Sequence, residues 1–370
     1  MKHPLRKLIA AFAFAALFVS TAAAAPLGVT VNDLMIDSDG SSGPGWAYDP
    51  ASSNLVLSGA GPFTLHGTNT EGAVRIAVPA GTVSYVAFSN LTLQATNGNQ
   101  CAFALGVDAD VSLFLAGTNA LASGSGRAGL EVPAGASLSI ANAFHYMEGE
   151  LTVTGGDGGA GIGGGGDSAG GAIAIGGGIV TAAGGEYFAA GIGGGSGGGG
   201  GAVTISNGTV TAIGGFGGAG IGTGGYAGWS TGADGGTVEI SGGNVTATGG
   251  DFAAGIGGGD GDAGGDVTVS GGTVFATGGK YGAGIGGGNN DENPDGLAGS
   301  GGTVTISGGR VTATGGKCAA GIGGGTGQQI AGSAGAALAV YGGTVFATGG
   351  AGGAPGIGSG LGNVGEGDTG

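Results

Sequence analysis

The stretch TVTISGGRVTATGGKCAAGIGGG, Thr303 to Gly325, carries the pattern from which the fold follows. In VTIS, Val304 and Ile306 face one way and Thr305 and Ser307 the other, the period-two alternation of a half-buried strand. After Gly308-Gly309 the alternation resumes, with Val311 and Ala313 inward and Arg310, Thr312 and Thr314 outward. After Gly315-Gly316, the same count places Cys318, Ala320 and Ile322 on one inner face. Three strands this short cannot fold alone, but stacked copies bury a continuous core.

The copies are present. GIGGG begins at Gly161, Gly191, Gly255, Gly284 and Gly321, with GIGTG at Gly220 and GIGSG at Gly356. Successive starts lie 30, 29, 35, 29, 37 and 35 residues apart. The first bend holds Gly242-Gly243, Gly271-Gly272, Gly308-Gly309 and Gly342-Gly343, and Asn207-Gly208 is the one substitution. Asn and Gly are the residues that tolerate positive φ, so a left-handed corner is specified. Without the stretch that follows each GIGGG, every repeat is 23 or 24 residues long. The insertions, longest at 225–236, 289–302 and 326–336, therefore leave from one corner, where loops on a rigid scaffold usually carry function. The expected fold is all-β: a right-handed parallel β-helix, three short strands per coil with glycine corners. At about 4.8 Å per coil, seven coils make roughly 30 Å of rod.

Composition agrees. Glycine supplies 103 of 370 residues, yet no Gly-X-Y period exists and only 9 prolines are present, which excludes collagen. With 41% apolar and 9% charged residues, disorder is excluded as well. At the N-terminus, MKHPLRK, the apolar run Leu8 to Val19 and Ala22-Ala23-Ala24 predict a signal peptide over 1–24, and the run is too short to span a bilayer. Removing Lys2, Arg6 and Lys7 leaves 5 basic residues against 24 acidic ones, a net charge of −19. Such a surface repels nucleic acid and anionic lipid. Neither partner is expected, nor is membrane insertion after signal removal. The expected location is outside the cell, at its surface or in the periplasm. Residues 25–156 keep the strand grammar in less regular coils, and 157–370 form the regular array of about seven repeats. Cys101 and Cys318 sit in apolar alternations and read as buried small hydrophobes.

GWAYD (Gly45 to Asp49), LVLSGAGPFTLHGT, CAFAL, LFLAGTNALASGSGRAGLEVPAGASLSI and the GG-x-VTATGG-x3-AGIGGG units resemble bacterial exported "carbohydrate-binding domain-containing" proteins. The resemblance spans roughly Gly45 to Gly360 and implies a right-handed parallel β-helix related to the pectin-lyase superfold. It also implies non-catalytic binding of polysaccharide, in some members with calcium.

The residues themselves offer little catalytic material. Beyond the signal only His66 and His145 remain, in different coils and without a nucleophile elbow. A polysaccharide lyase would need Arg or Lys beside a carboxylate cluster, and Arg310 aligns with Thr273 and Thr344 instead. GIGGGG matches GxGxxG, but no helix follows it and no GK[ST] exists, so nucleotide binding is excluded. Candidate calcium ligands are Asp260, Asp262 and Asp266, with Asp291 and Asp295 in a second loop, because hard oxygens gathered in one loop suit that ion. Solvated acidic loops are the competing reading. Candidate glycan contacts are Tyr226 and Trp229 in the 225–236 loop, Phe275 and Phe346 on the second strands, and the acids Asp291, Glu292 and Asp295. Aromatics beside carboxylates suit sugar rings, whose C–H faces stack while hydroxyls meet the acids. Phe188, Phe252 and Tyr281, three residues before GIGGG, read as core. Alternation turns Gly191, Gly255, Gly284 and Gly321 outward, which predicts a bare contact strip covered by a neighbouring molecule, a long loop or a flat glycan, with a tight bend of positive φ as the competing reading. The functional expectation is an exported, non-enzymatic polysaccharide binder. A surface adhesin or structural spacer is the alternative, and a lyase or an ice-binding threonine array ranks lower.

Overall fold

A computed structural model describes residues 25–143, 148–225, 233, 235–289, 299–328 and 333–363. The alternation seen in sequence becomes two parallel ladders. The first strands, among them Asp266–Val269, Thr303–Ile306 and Ala337–Val340, pair with Val267, Val304 and Leu338 in register. The second strands, Thr273–Thr277, Arg310–Thr314 and Thr344–Thr348, align Val274, Val311 and Val345. Both ladders belong to one 20-stranded sheet, and the third strands form a separate 13-stranded sheet. The chain is thus an all-β parallel β-helix.

Cross-coil identity makes the core. Ile162, Ile192, Ile221, Ile256, Ile285 and Ile322 stack one per coil with no solvent exposure. Val210, Val245, Val274 and Val311 form a second such column. Burying a branched aliphatic side chain is worth about 1.5–3 kcal/mol, so each coil is held by its neighbours rather than by its own three strands. The first bend has the predicted left-handed backbone, with Gly243, Gly272, Gly309 and Gly343 at φ of 78°, 77°, 75° and 85°. In the irregular half, Val83–Ala95 runs through both walls as one strand. It pairs Val86 with Leu113 before the corner residue Asn90, and Leu93 with Leu121 after it. Antiparallel pairings of Pro26–Val31 with Leu34–Asp37 and with Phe63–Asn69 lie at the N-terminal end of the core.

Two expectations about the third strand are corrected. Only two residues per coil pair as strand there, Ile322–Gly323 for example, and alternation does not extend back to the alanines. Ala319 and Ala320 are both buried. The supposed outward strip is buried too: Gly191, Gly255, Gly284 and Gly321 lie against the end of the next coil's second strand. A Cβ on Gly255 would stand 2.6 Å from the Thr277 amide nitrogen, and one on Gly321 2.6 Å from that of Thr348. Close backbone approach is the reason for glycine at these positions, but the approaching backbone is the chain's own.

Candidate functional site

The predicted contacts divide by what the structure places. Phe275 and Phe346 stand on the outer face of the second strands, 44% and 47% exposed, in one column with Thr312 between them. The Arg310 guanidinium lies 4.5 Å from the centre of the Phe346 ring, so this cation is held on an aromatic face. Tyr226, Trp229, Asp291, Glu292 and Asp295 lie outside the described residues, as does His145.

The structure separates the acids at 260–266 by burial. Asp266 opens a first strand and is exposed, whereas Asp260 and Asp262 are buried in the corner. One Asp262 carboxylate oxygen accepts the Ala233 N–H at 2.6 Å, and the carboxylate also takes a hydrogen bond from Thr223. Among the described residues its Oδ2 has no hydrogen-bond partner. Burial pushes the Asp262 carboxyl up to about 7. The two accepted hydrogen bonds favour the carboxylate, so it is burial alone that favours the protonated form. Among the described residues no three His, Cys, Asp or Glu side chains gather as a metal site, and Asp291 and Asp295 lie outside those residues.

The largest correction concerns the aromatics before GIGGG. Phe188, Phe252 and Tyr281 are not core; each is half-buried at the corner that follows the second strand. With Phe216 they form a ladder, one ring per coil. Ring centres are 5.9 Å apart for Phe188 and Phe216, 4.9 Å for Phe216 and Phe252, and 5.6 Å for Phe252 and Tyr281. The first two contacts are edge-on and the last is stacked at 16°. The backbone builds the ladder: Phe216 N donates to Glu186 O, Tyr281 N to Asp251 O, and Lys317 N to Lys280 O. From the next bend, Asp260 N, Asn289 N and Thr326 N donate to Gly217 O, Phe252 O and Tyr281 O. Room for the Phe188 ring comes from Gly217, where any Cβ would collide with it.

Beside the ladder an open cleft of about 620 Å³ is lined by Glu186, Tyr187, Phe216 and Asp251 over a floor of Gly184, Gly214, Gly215 and Gly250. Tyr187 and Phe216 are 60% and 49% exposed. Tyr187 is an extra residue: Gly184 to Gly191 spans one position more than Gly214 to Gly220 or Gly249 to Gly255. That insertion was the sequence signal for the cleft, and counting back from GIGGG passed over it.

Six stretches, 173–196, 203–225, 238–260, 267–289, 304–326 and 339–361, match the family model described as beta helix repeat. Each begins within a first strand and ends just past the GIGxG of the same coil, so the matched unit is the structural coil. No curated protein and no solved structure matches the chain.

Proposed function

We propose that this β-helix is an exported, non-catalytic polysaccharide-binding protein and that the corner cleft is its binding site. One observation carries the proposal: two exposed aromatics, Tyr187 and Phe216, face an open cleft with a side-chain-free floor and the carboxylates Glu186 and Asp251 at its sides. Apolar rings with a few placed polar groups are the usual make-up of a sugar site. Coils about 4.8 Å apart also repeat at close to the advance of one pyranose in an extended chain, so successive sugars meet equivalent positions. Glycan binding through the ladder needs no cation.

The test is a glycan array probed with the chain from Ala25 and with Tyr187→Ala/Phe216→Ala. Stacked rings contribute on the order of 1 kcal/mol each, so the double variant should bind its best polysaccharide at least tenfold more weakly with its melting temperature kept. Flat responses to every glycan would leave a structural rod, the spacer alternative. Release of new reducing ends or unsaturated products from a bound polymer would instead make the chain an enzyme.

A further inference from the structure

The second strands present a flat outer wall, because every other side chain points away from the core and the coils stack in register. Along the middle of that wall stand Thr152, Thr181, Thr211, Thr246, Phe275, Thr312 and Phe346, one per coil. A threonine here needs only strand propensity, and so does a lone phenylalanine. The departure is Arg310. It opens the strand between the two phenylalanine coils, paired with Thr273 before it and Thr344 after it. No carboxylate neighbours it on the wall. Glu150, in the same column, is five coils away, about 24 Å and well beyond the screening length. Among the described residues Arg310 makes no ion pair. Its guanidinium instead lies over the Phe346 ring, 4.5 Å from the centre. A ring face seats the cation but offers no lone pairs, so the exposed N–H donors take their acceptors from water or a ligand. Thr312 lies between the two rings, with Phe275 on one side 44% exposed and Phe346 on the other bearing the guanidinium. Around one hydroxyl the wall thus gathers an open apolar ring and a seated planar cation.

We propose that this wall is a second sugar site, selective for a carboxylate-bearing residue, a uronic acid. The sugar lies over Thr312, with its C–H face on Phe275 and its carboxylate on Arg310. A carboxylate is the anion that the planar guanidinium fork pairs with through two parallel bonds. Phe346 is a positioning residue, because it seats the guanidinium before the ligand arrives. The chain's net charge of −16 repels a polyanion, so the fitting glycan carries isolated uronates among neutral sugars. The site extends the proposed glycan binding to a wall that shares no residue with the corner cleft, so either site can fail without the other.

The experiment titrates the chain from Ala25 with three β-1,4-linked trisaccharides: three glucoses, a glucuronate between two glucoses, and three glucuronates. At low salt the mixed trisaccharide should bind at least about tenfold more tightly than the neutral one and more tightly than the all-glucuronate one. Arg310→Gln should erase that preference without weakening the neutral trisaccharide, and Arg310→Lys, a charge without the fork, should keep only part of it. Phe275→Thr and Phe346→Thr put into the column the residue that neighbouring coils already carry. The first should weaken the mixed and neutral trisaccharides alike, and the second should reduce the preference alone. Tyr187→Ala/Phe216→Ala should leave the preference intact. A mixed trisaccharide bound no more tightly than the neutral one, or a preference that survives Arg310→Gln, overturns the site while polysaccharide binding at the cleft stands. A preference lost in the cleft variant would place the carboxylate at the corner and overturn it too. Hexaglutamate bound through Arg310 more tightly than the mixed trisaccharide would make the wall a seat for an acidic peptide and not for a sugar.

Discussion

Asp262 is a fully buried carboxyl, one of whose oxygens has no partner among the described residues, and burial pushes it up to about 7. Its folded pKa of about 7 lies above the unfolded value of 3.8. The folded chain therefore holds a proton that the unfolded chain releases, and stability falls as pH rises from about 4 to 7, then levels. Asp262→Asn should flatten that fall and raise stability at pH 8 by on the order of 2–4 kcal/mol, read from melts across pH. Equal pH profiles for the two chains would contradict this. The same residue separates the proton site from a calcium site: any calcium-dependent rise in melting temperature should survive Asp262→Asn, and a rise that vanished with it would make Asp262 a ligand. Gly255 and Gly284 give a second residue-scale prediction. A side chain there meets the chain's own backbone, so Gly255→Ser and Gly284→Ser should each destabilise by about 1–3 kcal/mol, the cost of overpacking, without altering glycan binding. Lost binding at unchanged stability would restore them as a contact surface.

At the scale of the strand and the corner, the sequence showed the first two walls because both are half-buried strands of period two. Val304/Ile306 and Val311/Ala313 point inward as alternation requires, and Phe275, Arg310 and Phe346 outward. The rule failed where the chain stops being a strand. Phe188 and Cys318 have φ of 51° and 59°, and such turns reset which way the next side chain points. Counting inward from Ile192 or Ile322 thus assigned Phe188, Phe252 and Tyr281 to the core and bared the glycines of the third wall. Both errors share a cause: two-residue strands between turns have no parity to extrapolate. The core columns are the converse case. Ile256→Ala removes a fully buried side chain flanked by Ile221 and Ile285, and it should cost about 2–5 kcal/mol in chemical denaturation. A loss below about 1 kcal/mol would mean that the isoleucine stack does not hold the coils.

For the whole molecule, a rod of stacked coils sets its binding surface by repetition. The ladder crosses four coils from Phe188 to Tyr281. Each coil adds about 4.8 Å of surface, so a bound glycan should gain contacts with every sugar until it outruns the ladder. The most direct measurement is the affinity of one glycan series as a function of chain length, from disaccharide to decasaccharide. Affinity should rise with each added sugar, level off at about four or five residues, and lose most of its length dependence in Tyr187→Ala/Phe216→Ala. Affinity that saturates at a single sugar, or a length series unaffected by those substitutions, would contradict binding along the corner ladder.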